Sequence, residues 1–117
     1  MDIKKHITAL GFVPKDGTNG IYHKIYVDYA IEIDFEKQSI NYGGGITADS
    51  KTTQNFSDAE NFVVLECVDR LLTKGYKPQN LILEKTWPSG HGTSGRLDIC
   101  VNREDGTPYM LIECKTY

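Results

Sequence analysis

The residues whose types and spacing could do chemistry lie near the end of the chain: Asp98, Glu113 and Lys115. They sit in RLDICVNREDGTPYMLIECKTY, residues 96–117, which reads as two strands joined at Asp105-Gly106, a two-residue hairpin signal. With that dipeptide as the loop, Glu104 faces Thr107 and Asp98 falls opposite Glu113. Side chains alternate across a strand. One face then carries Leu97, Ile99, Val101, Met110, Ile112 and Cys114, apolar throughout. The other carries Asp98, Cys100, Leu111, Glu113 and Lys115. Directly opposed like charges destabilise a strand pair, so two facing carboxylates call for compensation. A divalent cation supplies it: Mg²⁺ is a hard ion that takes one or two carboxylates together with waters and substrate phosphates. Lys115 points to the same face. Against this stands a plainer reading of Glu113 and Lys115 as a surface ion pair, two residues apart on one strand face and worth little. The plainer reading of Asp98 is an ordinary polar strand residue, although aspartate is unfavourable inside strands.

At these residues the chain resembles the PD-(D/E)xK nuclease superfamily: Asp98, then Glu113-Cys114-Lys115, on adjacent strands. The wider stretch, GYKPQNLILEK followed by GRLDICV and LIECK, is similar to the N-terminal nuclease domain of type I restriction enzyme R subunits, from Ser57 to Tyr117. The resemblance implies a restriction-endonuclease-like α+β (α/β) fold, a mixed sheet flanked by helices, and Mg²⁺-dependent hydrolysis of DNA phosphodiester bonds. It implies Asp98 and Glu113 as metal ligands, the backbone carbonyl of Cys114 as a further one, and Lys115 as the group that orients the attacking water or stabilises the transition state. Family members often place an acid on the helix before the catalytic strands; Glu60 fits that position best, with Glu66 the competitor. The implied substrate is double-stranded DNA. The implied partners are the motor or methyltransferase and specificity subunits of a restriction complex. ATP would serve the motor of the parent enzyme and would not bind this stretch, which holds no motor motif. Two alternatives stay open: the nuclease module of a single-chain restriction–modification enzyme, and a non-catalytic nuclease-like docking module. Because family members continue with a further helix and strands, the resemblance also implies a fragment truncated on its C-terminal side.

The 117 residues suit one domain with a modest core. A hydrophobic content of 39% and a charged content of 25% are ordinary for a globular protein. The net charge of −3 gives no global basic signature, so a self-sufficient grip on DNA is not expected. Cys67, Cys100 and Cys114 are odd in number and lack CxxC spacing, which argues against a zinc site and against a disulfide scaffold. A reducing, cytoplasmic setting is the expectation. No signal peptide or membrane span is visible, and no membrane partner is expected.

Two blocks must position the site residues: residues 1–55, a helix and an antiparallel meander, and residues 56–117, the nuclease core, packed as one domain. Asp2–Leu10 is expected to be a short helix stopped by Gly11. Ile21–Asp28, Ala30–Phe35 and Ser39–Tyr42 read as strands. Glu32 and Asp34 lie on a solvated strand face or form a second acidic site. Gly43-Gly44-Gly45 lacks a Lys-Ser/Thr ending and reads as a turn rather than a phosphate loop. Thr47–Asn55 reads as a linker. Ser57–Lys74 is the strongest helix, with Ser57 and Glu60 as a capping box and an apolar stripe at helical spacing. Glu60 is thus a cap, a metal contact, or both. Leu81–Thr86 is a strand and Trp87–Gly95 a loop. Arg96, level with Lys115, could touch a phosphate or pair with a carboxylate. Glu84 is expected at an exposed strand position, with lining of the cleft as the alternative, His91 as a loop residue rather than a base, and Trp87 in packing rather than base stacking.

Overall fold

The computed structural model describes residues 1–88 and 94–115; the side chains of 87, 88 and 94–96 lie outside that description. The class is α+β. The elements run α1 (Ile3–Ala9), β1 (Val13–Pro14), β2 (Ile21–Tyr26), β3 (Tyr29–Asp34), β4 (Ser39–Asn41), β5 (Thr47–Ala48), α2 (Glu60–Thr73), β6 (Leu81–Pro88), β7 (Ser94–Asn102) and β8 (Pro108–Ile112), with a short 3₁₀ turn at Pro78–Asn80.

The first block is a helix and a meander, as the pattern predicts. Asp2 caps α1 by accepting the Lys5 N–H at 3.1 Å. Gly11, at φ 102°, ends it. Strands β1 to β4 pair antiparallel in sequence order. On β3, Ile31 and Ile33 are fully buried while Glu32 and Asp34 are half-exposed. Glu32 pairs with Lys15, and Asp34 accepts the N–H groups of Glu36 and Lys37 at 2.9 and 3.0 Å. Both acids therefore serve the strand face and the following turn.

The three glycines have a local reason. The Tyr29 ring lies where side chains at 43 and 45 would stand. A Cβ on Gly43 would come 2.7 Å from the Tyr29 hydroxyl, and one on Gly45 would come 2.9 Å from its ring. The hydroxyl donates to the Tyr42 carbonyl and accepts the Ile46 N–H at 3.1 Å. The turn is a cradle for one tyrosine, and only residues without a Cβ let the backbone approach this closely.

Residues 47–55 do more than link. Thr47 and Ala48 form β5, which pairs parallel with β6 and opens a second sheet, β5-β6-β7-β8. Asn55 bridges back to Ser39 of β4, and Thr53 is buried. The second sheet is mixed: β5 runs parallel to β6, and β7 is antiparallel to both β6 and β8.

Helix α2 begins later than the capping box predicts. Its first residue is Glu60, and Ala59 at the cap position makes no side-chain bond. Ser57 is engaged elsewhere: its N–H and hydroxyl both donate to the Asn55 side chain, and the Glu60 N–H goes to Asp58 at 2.9 Å. An Asx turn at Asn55 has taken the serine out of the helix. The buried face of α2 includes Phe62, Val64, Leu65, Val68, Leu71 and Leu72, in one apolar cluster with Ile31, Ile33 and Ile40 of the meander and Leu81, Leu83, Ile99 and Val101 of the second sheet.

One buried ion pair ties α2 to the meander. Asp69, 5% exposed, accepts from Lys24 Nζ at 2.7 Å and from the Tyr26 hydroxyl at 2.6 Å. Lys24 also donates to the Leu10 carbonyl at 2.6 Å, so its ammonium is well satisfied away from water.

Candidate active site

The site residues are positioned by the β7–β8 hairpin. Ile99 pairs with Ile112, Cys100 with Leu111 and Val101 with Met110. Carried one step on, this register sets Asp98 level with Glu113, as the sequence predicts. The loop differs from expectation. Arg103, not Glu104, faces Thr107, donating its N–H to the Thr107 carbonyl at 2.8 Å. The turn closes from Gly106 N–H to the Arg103 carbonyl at 2.9 Å, with Gly106 at φ 86°. The loop is thus one residue longer than Asp105-Gly106 alone. A bulge beside Val101 and Asn102 then takes up the offset, because Asn102 pairs with Pro108 and Tyr109 is the extra residue.

The faces sort as expected at most positions, although Cys100, on the charged face, is buried. Ile99, Val101 and Cys114 are buried and Met110 and Ile112 half-buried; Leu111, Glu113 and Lys115 are exposed. Strand pairing stops at Ile112. Past it, Asp98 Oδ2 accepts the Cys114 N–H at 2.7 Å. A carboxylate has replaced the next rung of the ladder, and it fixes where residues 113–115 leave the sheet. Glu113 and Lys115 form an ion pair at 3.3 Å, the plainer of the two sequence readings.

Three acids bear on Lys115. Glu113 comes first, bonded to it; Glu60 and Asp98 add to it through space, and together they raise the ammonium above the ordinary lysine pKa. Glu60 and Asp98 also act on the Cys114 thiol. Glu60, in the first turn of α2, and Asp98, on β7, thus both bear electrostatically on the segment that follows β8. Glu66 points elsewhere, to Arg70 at 3.5 Å on its own helix.

Glu84 corrects the expectation of an exposed strand position: it is 1% exposed. It stands level with Asp98 on β6, where a third acid would extend the row of like charges. Its backbone is left-handed, φ 51°, and its carboxylate goes to Thr52 Oγ1, and to the Thr53 N–H and hydroxyl at 3.2 Å each. His91 lies outside the described residues, as do the side chains of Arg96 and Trp87.

The donor set suits a hard cation in kind, since Asp98, Glu113 and Glu60 offer carboxylate oxygens and the chain continues through the Cys114 carbonyl. Among the described residues no three His, Cys, Asp or Glu side chains stand close enough to hold one ion as they are. Glu113 is turned to Lys115, so metal binding would require it to swing from the ammonium.

No known relative identifies the chain: no family model, curated protein or solved structure matches it. No helix among the described residues is long and apolar enough to cross a membrane. A cavity of about 340 Å³, lined by Tyr26, Tyr29, Leu72, Tyr76 and Pro78 among others, opens at the far end of α2 from Glu60 and includes none of the four site residues.

One neighbour of the site escaped the sequence reading. The Cys114 thiol is the first influence that lowers the pKa of Cys67, half-buried on α2, to about 7. Its signal was a helical one: Cys67 follows Glu60 by seven residues, two turns along the same face.

Proposed function

We propose that this chain is a Mg²⁺-dependent endonuclease module that hydrolyses DNA phosphodiester bonds, of the kind found in type I restriction enzyme R subunits. The observation that carries the reading is the set of charges around Lys115. Glu113 is bonded to it, and Glu60 and Asp98, from two other segments, add to it through space and raise its pKa; acids bearing on a lysine support a nuclease reading. The order helix, then three antiparallel strands, in α2, β6, β7 and β8 supports it too.

Asp98 and Glu113 would hold the ion, with the Cys114 carbonyl as a further ligand and Glu60 in support. When bound, the ion would lower the pKa of a water and stabilise charge on the scissile phosphate. Lys115, protonated throughout the physiological range, would steer the phosphate and orient the nucleophile. Asp98 has a second duty: its bond to the Cys114 N–H sets the direction of both Glu113 and Lys115. With a net charge of −3, a firm grip on DNA would come from partner subunits or from a parent polypeptide bearing the motor.

Calorimetric titration with Mg²⁺ and Mn²⁺, beside a plasmid-nicking assay, tests the reading. Binding heat that is lost in E113A, and nicking that is lost in K115A without loss of fold, are the expected results. Wild-type chain that binds neither ion overturns it. The second reading is a non-catalytic docking module, favoured by the Glu113–Lys115 ion pair and by the absence, among the described residues, of three ligands already close together. It predicts no divalent binding.

A further inference from the structure

The cavity at the C-terminal end of α2, about 340 Å³, falls within the range of small-molecule sites, about 300–1,000 Å³. Its wall is aromatic: Tyr26, Tyr29 and Tyr76, three of the chain's seven tyrosines, all line it. Two of the three hydroxyls are engaged within the protein. That of Tyr26 donates to Asp69 at 2.6 Å, and that of Tyr29 to the Tyr42 carbonyl. What these two residues can offer a ligand is therefore ring surface, and the face of a ring is its negative side. The Tyr26 ring already takes a cation, because Lys24 Nζ stands 5.4 Å from its centre. Among the described residues no cation stands over Tyr29 or Tyr76.

The charges point the same way. Asp28, in the tight turn between β2 and β3, lines the cavity and is exposed, with no hydrogen-bond or ion-pair partner among the described residues. Lys77 is the only base among the described residues of the wall, and it is paired with Glu104 at 3.2 Å. Lys74 lines an adjoining hollow and not this one. α2 closes here, with the Gly75 N–H on the Leu72 carbonyl at 3.0 Å and the Tyr76 N–H on the Leu71 carbonyl at 3.1 Å. The C-terminal end of a helix is the negative end of its dipole and favours a cation. A bare divalent ion does not suit the set, since one carboxylate and three rings supply too few oxygens for a hard ion.

We propose that this cavity binds a small organic ammonium, a methylated amine whose cation rests against the Tyr29 and Tyr76 rings with Asp28 as its counter-charge. The site is independent of the nuclease reading and uses none of Glu60, Asp98, Glu113 or Lys115.

The test is titration of the whole chain with choline, followed by calorimetry and by backbone amide NMR. The control ligand is the neutral isostere of choline in which carbon replaces the nitrogen. Choline should shift the amides of Asp28, Tyr29 and Tyr76 saturably, and the isostere should bind at least about fivefold more weakly. D28N, at an exposed turn that spares the core, should weaken choline binding about threefold. Y76F keeps the ring and should bind as wild type does, whereas Y76L, checked for fold by its amide spectrum, should bind about fivefold more weakly. E113A should bind choline normally, so failure of the divalent site and failure of this one are read separately. The absence of a saturable shift, equal affinity for choline and its isostere, or shifts confined to residues outside the cavity overturns the proposal. Wild-type affinity in both D28N and Y76L does so too.

Discussion

Asp98 has two separable duties, and substitution can divide them. Its Oδ2 accepts the Cys114 N–H at 2.7 Å, and its charge is proposed to hold a divalent ion. D98N keeps an acceptor oxygen of the same shape and removes the charge. A hydrogen bond to a charged group contributes about 1.5–3 kcal/mol and a neutral one about 0.5–1.5, so D98N should cost about 1 kcal/mol. D98A removes the acceptor and leaves the Cys114 N–H unpaired beside the core, which should cost about 2 kcal/mol. For a chain of 117 residues, each kcal/mol corresponds to roughly 4 °C in melting temperature. Differential scanning fluorimetry should therefore place D98N roughly 4 °C and D98A roughly 8 °C below wild type. Calorimetry should show Mg²⁺ or Mn²⁺ affinity lowered at least about tenfold in both. Equal melting temperatures for D98N and D98A would refute the structural duty. Undiminished ion binding by D98N would refute the metal duty.

Other substitutions test other joints. D69A strands the Lys24 ammonium, whose side chain is 23% exposed, and should destabilise by about 3 kcal/mol in urea unfolding. G43A and G45A each push a methyl against Tyr29 and should cost about 2 kcal/mol. G44A, where an added Cβ meets nothing within 4 Å, is the near-neutral comparison in the same melts. Alkylation of Cys67 by iodoacetamide should rise with pH through a midpoint of about 7. In C114A the midpoint should move toward the ordinary thiol value near ~8.5, and an unmoved midpoint would show that Cys114 is not what lowers it.

The apolar and charged alternation of the last two strands was legible because burial imposes a period of two, and that period sorted Asp98, Glu113 and Lys115 from Ile99, Val101 and Cys114. The meander and α2 were legible for the same kind of reason. What escaped was local competition for hydrogen bonds. Ser57 could have capped α2, but Asn55 claims it. Glu84 reads as an exposed strand residue, yet a left-handed backbone turns it onto Thr52 and Thr53. β5 has only two residues, too few to show a period, and its partner β6 lies far along the chain. The glycine triplet could be recognised as a turn, but its reason, the Tyr29 ring, exists only in three dimensions.

The bulge at Tyr109 has a further consequence. The longer loop and the extra strand residue are two offsets of opposite effect, and the outward aim of Glu113 depends on both being present. Deleting one residue between Asn102 and Met110 would advance everything downstream by half a pleat, sending Lys115 toward the oily interior and Cys114 into water. A paired insertion and deletion on either side of the turn would leave the arrangement untouched. This hairpin therefore counts its residues, and single-residue changes of length are the edits it can least withstand.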